Sequence, residues 1–176
     1  MRPLRVEDAA RVYDDARDPD IYRFQQQRPP RSVDELRERF RRWSDGSSDA
    51  HVVWLNWCAL ERESGRIAGL LQATIDCAAR TATLGYTIFP AFQHRGYARE
   101  AAGAMLEAVF ARGDVERAVA EISEPNYRSR AVVESLGFVP CGRIPGAGRD
   151  DGRVCDDVVY ERRQQRASGR STTARR

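Results

Sequence analysis

The sequence predicts an α+β fold built on one mostly antiparallel sheet. Three observations predict it. Apolar residues recur at helical spacing between Ala9 and Trp43, the pattern then turns to strand character in three successive segments between His51 and Ile88, and strand and helix patterns interleave from there to a closing hairpin. No internal repeat is visible, and 176 residues are enough to bury one core without disulfides or a metal.

A short first strand is expected at Leu4–Val6, followed by a helix in which Ala9, Ala10, Tyr13 and Ala16 share a face up to Asp18 and Pro19. Ser32 and Glu35 match the capping box, and Val33, Leu36, Phe40 and Trp43 form one apolar stripe, so a second helix should run to just before Ser44. Strands follow at His51–Glu61, Arg66–Ile75 and Thr81–Ile88, with turn chemistry in "ESGR" and "DCAAR". In "IFPAFQHRGYAREAAGAMLEAVFARG", residues 88 to 113, an apolar strand end leads through Pro90 and Gly96 into the longest helix. Gly113 stands where a helix-stopping glycine belongs. A strand at Arg117–Ile122 precedes a helix from Asn126 to Leu136, which Gly137 and Phe138 stop. Two last strands, Phe138–Arg143 and Arg153–Glu161, flank a loop "PGAGRDDG".

Composition removes several chemistries. The chain contains no lysine, so a Walker-type phosphate loop and a Schiff-base enzyme are both excluded. Cys58, Cys77, Cys141 and Cys155 lie far apart without zinc-site spacing, and only His51 and His94 could assist them; no metal is expected, and buried free thiols are. No apolar run is long enough to span a bilayer, and charged residues follow Met1, so the expectation is a cytoplasmic protein that does not engage a membrane. Met1 falls so close to the first strand that the natural start is expected upstream. Residues 162–176 hold six arginines and no acid, which leaves residues 1–161 net acidic although the chain is formally +3. The expected organisation is one domain at 1–161 with a basic, disordered tail at 162–176. Nucleic-acid or ribosome contact would be confined to that tail.

The helix start at residues 93–98 is the strongest local signal of function. A helix N-terminus presents unpaired backbone N–H groups and the positive end of the helix dipole, and Gly96 lets a ligand approach the backbone closely. Arg95 and Arg99 add charge. A dinucleotide fingerprint is absent, because only Gly96 and Gly103 fall in the region.

Gln93-His94-Arg95-Gly96-Tyr97-Ala98 resembles the Gln/Arg-x-x-Gly-x-Gly/Ala signature of the GNAT superfamily of acetyl-coenzyme A dependent N-acetyltransferases. "LGYTIFPAFQHRGYAREA" and "NYRSRAVVESLGF" are similar to its Rim-type branch of ribosomal-protein N-terminal acetyltransferases, and the likeness covers residues 3 to 162. The resemblance implies a GNAT-like α+β fold with helices on both faces and a central strand pair that splays apart. The strand ending at Ile88 and Phe89 would part from the strand at 117–122, and the pantetheine arm would lie along the opened edge like an added strand. Backbone N–H groups of Gln93, His94, Arg95, Gly96, Tyr97 and Ala98 would hold the pyrophosphate. Asn126, a natural helix N-cap, would also contact the cofactor arm, and Ser129 would lie near the thioester sulfur.

Two positions depart from the family pattern. Val133 stands where many members carry a proton-donating tyrosine, which leaves Ser129 as the candidate donor to the departing thiolate. Thr83 stands where Rim-type sequences often carry a glutamate base, so Glu121 is the substitute, with Tyr86 and Asp76 as weaker candidates. The expected activity is direct acetyl transfer from acetyl-coenzyme A to a primary amine, either a protein N-terminus or a small-molecule amine. The alternatives are a non-catalytic coenzyme A sensor and a ribosome- or RNA-associated module using the arginine tail. Deprotonating a lysine amine of pKa about 10.4 at pH 7 costs roughly 4.6 kcal/mol, against about 1.4 for an α-amine near 8. Without a strong base, an α-amine or activated amine is the expected acceptor.

Overall fold

In the computed structural model, which describes residues 1–165, strand β1 (Arg2–Pro3) leads to α1 (Asp8–Ala16) and α2 (Val33–Asp45). Strands β2 (Val52–Leu60), β3 (Ile67–Asp76) and β4 (Thr81–Ile88) follow, then α3 (Tyr97–Ala111), β5 (Arg117–Ser123), α4 (Tyr127–Ser135), β6 (Val139–Asp150) and β7 (Arg153–Arg163). One seven-stranded sheet has the order β1-β2-β3-β4-β5-β7-β6, antiparallel throughout except between β4 and β5. The expected mixed α+β architecture is therefore what forms.

Local chemistry explains where the elements start and stop. Ser32 Oγ accepts the Glu35 N–H at 3.1 Å, as a capping box requires, but Glu35 Oε2 reaches past Ser32 to the N–H of Arg31 at 3.0 Å. Helix α2 continues through Ser44 to Asp45 and ends at Gly46, so its expected stop falls two residues early. The first strand is corrected from residues 4–6 to Arg2–Pro3, because the Arg5 N–H turns onto the Asp8 carboxylate at 2.9 Å to begin α1. At the end of α4 the Phe138 N–H returns to the Val133 carbonyl at 3.1 Å, the closing bond of a Schellman end.

The largest correction concerns the segment read as a loop. Residues 144–150 belong to β6, whose register against β7 breaks at Pro140/Gly142 and again at Ile144/Gly148. Asp151 and Gly152, both at positive φ, make the two-residue turn that Asp-Gly favours in a hairpin. At the other end β7 runs to Arg163, and Arg162 donates to the Leu136 carbonyl, so two arginines assigned to the tail lie in the sheet. Residues 166–176, which carry the rest of that expected tail, lie outside the described residues. Of the four cysteines only Cys58 is buried; Cys77 and Cys141 are exposed. Burial and the neighbouring Asp8 carboxylate push the Cys58 thiol up to about 12.

The sheet divides at its parallel pair. β4 and β5 match only at Thr81↔Arg117, Ala82↔Ala118 and Thr83↔Val119, and beyond that rung the strands part. Side-chain alternation and the helix contacts place α1 and α2 on one face and α3 and α4 on the other. Two apolar clusters result. One joins α1, α2 and α3 to β2–β4, the other joins α4 to β5 and β7 through Ala118, Ala120, Ile122, Val133 and Tyr160, and Leu84, Tyr86 and Phe110 touch both.

Gly69 on β3 lets the end of β4 pack closely against it. A Cβ at residue 69 would fall inside van der Waals contact of the Thr87 carbonyl oxygen and of the Ile88 side chain. Gly69→Ala should therefore lower stability by about 1–3 kcal/mol in urea denaturation. Gly85→Ala serves as the control, since a Cβ there meets nothing within 4 Å. Equal losses in the two variants would refute the close-approach argument.

Candidate active site

The parting strands open a cleft of about 1060 Å³. Its first wall is the inner edge of β4. The Phe89 N–H bonds the Ala68 carbonyl at 2.9 Å, which with the β3 register fixes the odd residues of β4 as those bonded to β3. The N–H and C=O of Tyr86 and the N–H of Ile88 therefore face β5 where no ladder remains to take them. The Ile88 carbonyl is used, accepting the Gln93 side-chain amide at 2.9 Å.

Past Ile88 a 3-10 turn, Pro90–Phe92, leads into the start of α3. The backbone N–H groups of residues 94–99 make no hydrogen bond among the described residues, and α3 has no side-chain cap. His94 at φ 59° and Gly96 at φ 84° curl this segment into a concave row of N–H groups, the geometry that binds anions. The left-handed backbone is uncommon for a residue with a side chain, and histidine is among those that adopt it more readily. Gln93 departs from the expected donor set, because its N–H is spent on the Pro90 carbonyl at 3.1 Å. Phe89 is fully buried and contributes wall, not a free donor.

Arg95 is also committed. Its guanidinium pairs with Glu61 at 2.9 Å, and the Tyr97 hydroxyl donates to the same carboxylate at 2.8 Å. Hydrogen bonds from Ser64 and then Tyr97 hold the Glu61 carboxyl below its ordinary range against some desolvation, and Arg95 adds to them. Arg99, exposed on the cleft rim, makes no ion pair among the described residues.

On the α4 side, Asn126 Oδ1 accepts the Ser129 N–H at 3.2 Å, so its cap role is real and it fixes the turn that carries Ser129. The Ser129 hydroxyl lines the cleft without a partner among the described residues. Tyr86 donates its hydroxyl to the Ser129 carbonyl at 3.3 Å, and burial raises its pKa, so it is a phenol and not a base. Val133 is buried in the second core while its neighbour Val132 lines the cleft; neither can give a proton. Asp76 is removed as a candidate, since it sits at the β3–β4 turn accepting the Ala79 N–H at 2.8 Å, outside the cleft lining. Glu121 does line the cleft. It is exposed and lies on the face of β5 opposite to Ala120 and Ile122, so Glu121 and Ser129 stand on opposite sides of the gap.

The face holding Glu121 is roofed by residues that the sequence reading missed. The Gln25 amide donates to Thr87 Oγ1 at 3.1 Å and Gln26 to the Ala147 carbonyl at 3.1 Å, while Arg23 pairs with Asp150 at 2.8 Å. These bonds tie the segment after α1 to β4 and to the β6–β7 hairpin. Beneath them Asp157, opposite Ser123 across β5 and β7, lines the cleft. Nothing in the sequence marked it; in the structure Gly148 packs over it, and a Cβ there would fall 2.4 Å from Asp157 Oδ1. No metal-binding cluster and no helix long and apolar enough to cross a membrane is found among the described residues.

Fold and site together define a class: a split sheet with an anion-binding helix start at one end of the split. The chain matches the family model described as Acetyltransferase (GNAT) domain over residues 1–139 and belongs to that family. Among solved structures it is similar to RimL, a ribosomal L7/L12 alpha-N-protein acetyltransferase in complex with coenzyme A (TM-score 0.79, 20% identity, covering 92% of each chain). It is also similar to a spermidine N-acetyltransferase from Vibrio cholerae in complex with CoA and spermine (0.78, 21%, 93% of this chain and 94% of that one). A third is a GNAT-family acetyltransferase from Bacillus anthracis (0.76, 19%, 92% of each). At these identities the likeness speaks for the fold.

Asn126→Ala should cost about 1 kcal/mol of stability in chemical denaturation, and Asn126→Asp should recover most of it by restoring an acceptor for the Ser129 N–H. Equal stability of Asn126→Ala and the parent protein would show that the cap is idle.

Proposed function

We propose that the protein is an N-acetyltransferase that moves an acetyl group from acetyl-coenzyme A directly to a primary amine. The observation that carries this reading is that one cleft holds two sets of unpaired backbone donors, the Ile88 N–H at the strand edge and the N–H groups of residues 94–98 at the helix start. One ligand with a thioester at one end and phosphates at the other fits both. The residues fit that ligand sterically too, because a Cβ at Gly96 meets nothing within 4 Å and the space before the helix is open.

When bound, acetyl-coenzyme A would supply a thioester whose carbonyl carbon accepts the amine. The chain's own groups account for the rest. Residues 94–98 and Arg99 hold phosphate oxygens, Tyr86 offers main-chain bonds to the pantetheine arm, and the Ile88 N–H polarises the acetyl carbonyl. Glu121 takes the amine proton on one side of the gap. Ser129 donates to the sulfur on the other. Much of the acceleration then comes from holding the reactants in line. With no carboxylate at Thr83, an α-amine or an activated amine, already partly neutral at pH 7, is the better match.

The direct test is thiol release from acetyl-coenzyme A with peptide N-termini, polyamines and aminoglycosides as acceptors, run beside calorimetric titration of coenzyme A. Gly96→Glu puts a carboxylate where phosphates must lie and should weaken coenzyme A binding by at least about tenfold, roughly 1.4 kcal/mol, while the fold survives. Unchanged affinity would remove the pyrophosphate assignment.

Ser129→Ala removes a hydrogen bond that strengthens as charge builds on sulfur. Such bonds to charged groups are worth about 1.5–3 kcal/mol, so kcat at saturating acetyl-coenzyme A should fall about ten- to hundredfold with little change in KM. An unchanged kcat under conditions where chemistry limits turnover would make Ser129 a structural residue.

A further inference from the structure

Five glycines lie inside strands among the described residues: Gly69, Gly85, Gly142, Gly146 and Gly148. Four of them have a structural reason. A Cβ at Gly69 would collide with the Thr87 carbonyl oxygen, and one at Gly148 with the Asp157 carboxylate. Gly142 borders one register break of β6, and Gly146 lies at φ 69° inside the other. Gly85 has no such reason. Its φ is not left-handed, the β3–β4 register runs past it without a break, and a Cβ there meets nothing within 4 Å. Glycine weakens a strand interior and packs against nothing, so where bulge and close packing are absent it marks a place where a ligand approaches the backbone.

The register says from which side. The row Asn56–Gln72–Gly85 lies on the face of the sheet that carries α2, and Thr83 and Gly85 are exposed there although β4 is a central strand. Two residues further on this face is closed, because Thr87 Oγ1 accepts the Gln25 amide at 3.1 Å. Across the gap, two residues past the last rung on each strand, Glu121 stands on the same face as Gly85. Gln72, the ladder partner of Gly85, lines the cleft, and its side-chain amide has no partner among the described residues. The main-chain groups of Tyr86 and the Ile88 N–H point across the gap in the plane of the sheet, so a ligand bonded to them leaves the face above Gly85 open. What remains is a slot with bare backbone on the β4 side and a carboxylate on the β5 side.

We propose that Gly85 is the specificity-determining residue of the acceptor path, and that its missing side chain admits amines that stand on a branched carbon. An unbranched amine ends a chain of methylenes no wider than itself and can pass end-on beside a side chain. A carbon that carries the amine and two further substituents needs width where the nitrogen enters the gap. The space over residue 85 supplies that width, and the Gln72 amide beside it can bond a polar substituent. The proposal concerns recognition and adds no chemical step. It rests on the acetyl-transfer reading only in calling the bound amine an acceptor.

The test is calorimetric binding of Ala-Ala-amide and of its isomer β-Ala-Ala-amide, whose amine carbon is unbranched, to the protein saturated with coenzyme A. Following each isomer across variants removes the difference in their amine pKa values. The parent protein should bind Ala-Ala-amide. Gly85→Val should weaken that binding at least tenfold, while β-Ala-Ala-amide stays within threefold and coenzyme A affinity within twofold. Gly85→Ala should shift the ratio in the same direction by less, so a folding defect in the valine variant leaves the alanine variant to decide. A lower melting temperature in both variants would show that the fold itself needs the glycine and would overturn the argument. Equal losses for the two isomers would overturn the branched class, and unchanged binding of both would remove Gly85 from the acceptor path. A parent protein that binds neither isomer overturns the proposal as well. Binding of Ala-Ala-amide without any thiol release from acetyl-coenzyme A would refute acetyl transfer and leave the slot standing.

Discussion

Everything that distinguishes this domain from an ordinary layered α+β fold follows from the end of one hydrogen-bond ladder. After Thr83↔Val119 the two central strands have no further partners in each other. A buried strand edge is expensive, because each unpaired backbone group loses its bonds to water without gaining others. The chain meets part of this cost internally. Gln93 caps the Ile88 carbonyl, and Gly69 gives β4 room to bend toward β3 without a steric penalty. The rest of the edge is left for a ligand. The split also explains the two apolar cores, since a sheet that opens cannot be covered by one continuous layer. Leu84, Tyr86 and Phe110, packed against both clusters, hold the halves together below the opening.

The unsatisfied groups around the cleft are sorted by type. At the α3 end they are all donors: the N–H groups of residues 94–99 and of Ile88. On the α2 face they are acceptors, namely Asn56 Oδ1 and Asp157 Oδ1, with Glu121 also free of partners. The donor end thus complements an anion, whereas Asn56 Oδ1 and Asp157 Oδ1 are covered by the protein itself. This segregation is a property of backbone geometry as much as of side chains. The donors come from a helix start and a parted strand, where any sequence of the right shape would expose them.

Much of the fold can be read from the sequence because most elements have strong periods and explicit ends. Ser32, Gly113 and Gly137 mark helix boundaries, and the three strands between His51 and Ile88 are separated by clear turns. The β6–β7 hairpin was less legible. Gly142, Gly146 and Gly148, with Pro140 and Pro145, make its first strand look like a loop, although the chain stays paired through two register breaks. The split itself is invisible to periodicity, since β4 alternates in the same way whether or not β5 lies beside it, and it was expected only through family resemblance. Asp157 was invisible for another reason. It sits in an acidic pair on a half-exposed strand, and nothing local says that Gly148 covers it or that Ser123 lies opposite.

The anion end carries one more constraint. Glu61 places a carboxylate beside the helix start that would bind phosphates, and it engages Arg95 and Tyr97. A negative charge there opposes an anionic ligand, yet the pair is half-exposed on the arginine side, and ion pairs in that setting are worth at most about 1 kcal/mol. Five or six convergent N–H groups outweigh a term of that size. What Glu61 adds is order. The aromatic ring of Tyr97 lies beneath the Arg95 guanidinium at 5.1 Å and edge-on to Phe92 at 5.9 Å, so the first residue of α3 is clamped between the β2–β3 turn and the buried 3-10 turn. A helix start held this firmly can leave its N–H groups unpaired without fraying, and that is the condition for keeping them ready for a ligand.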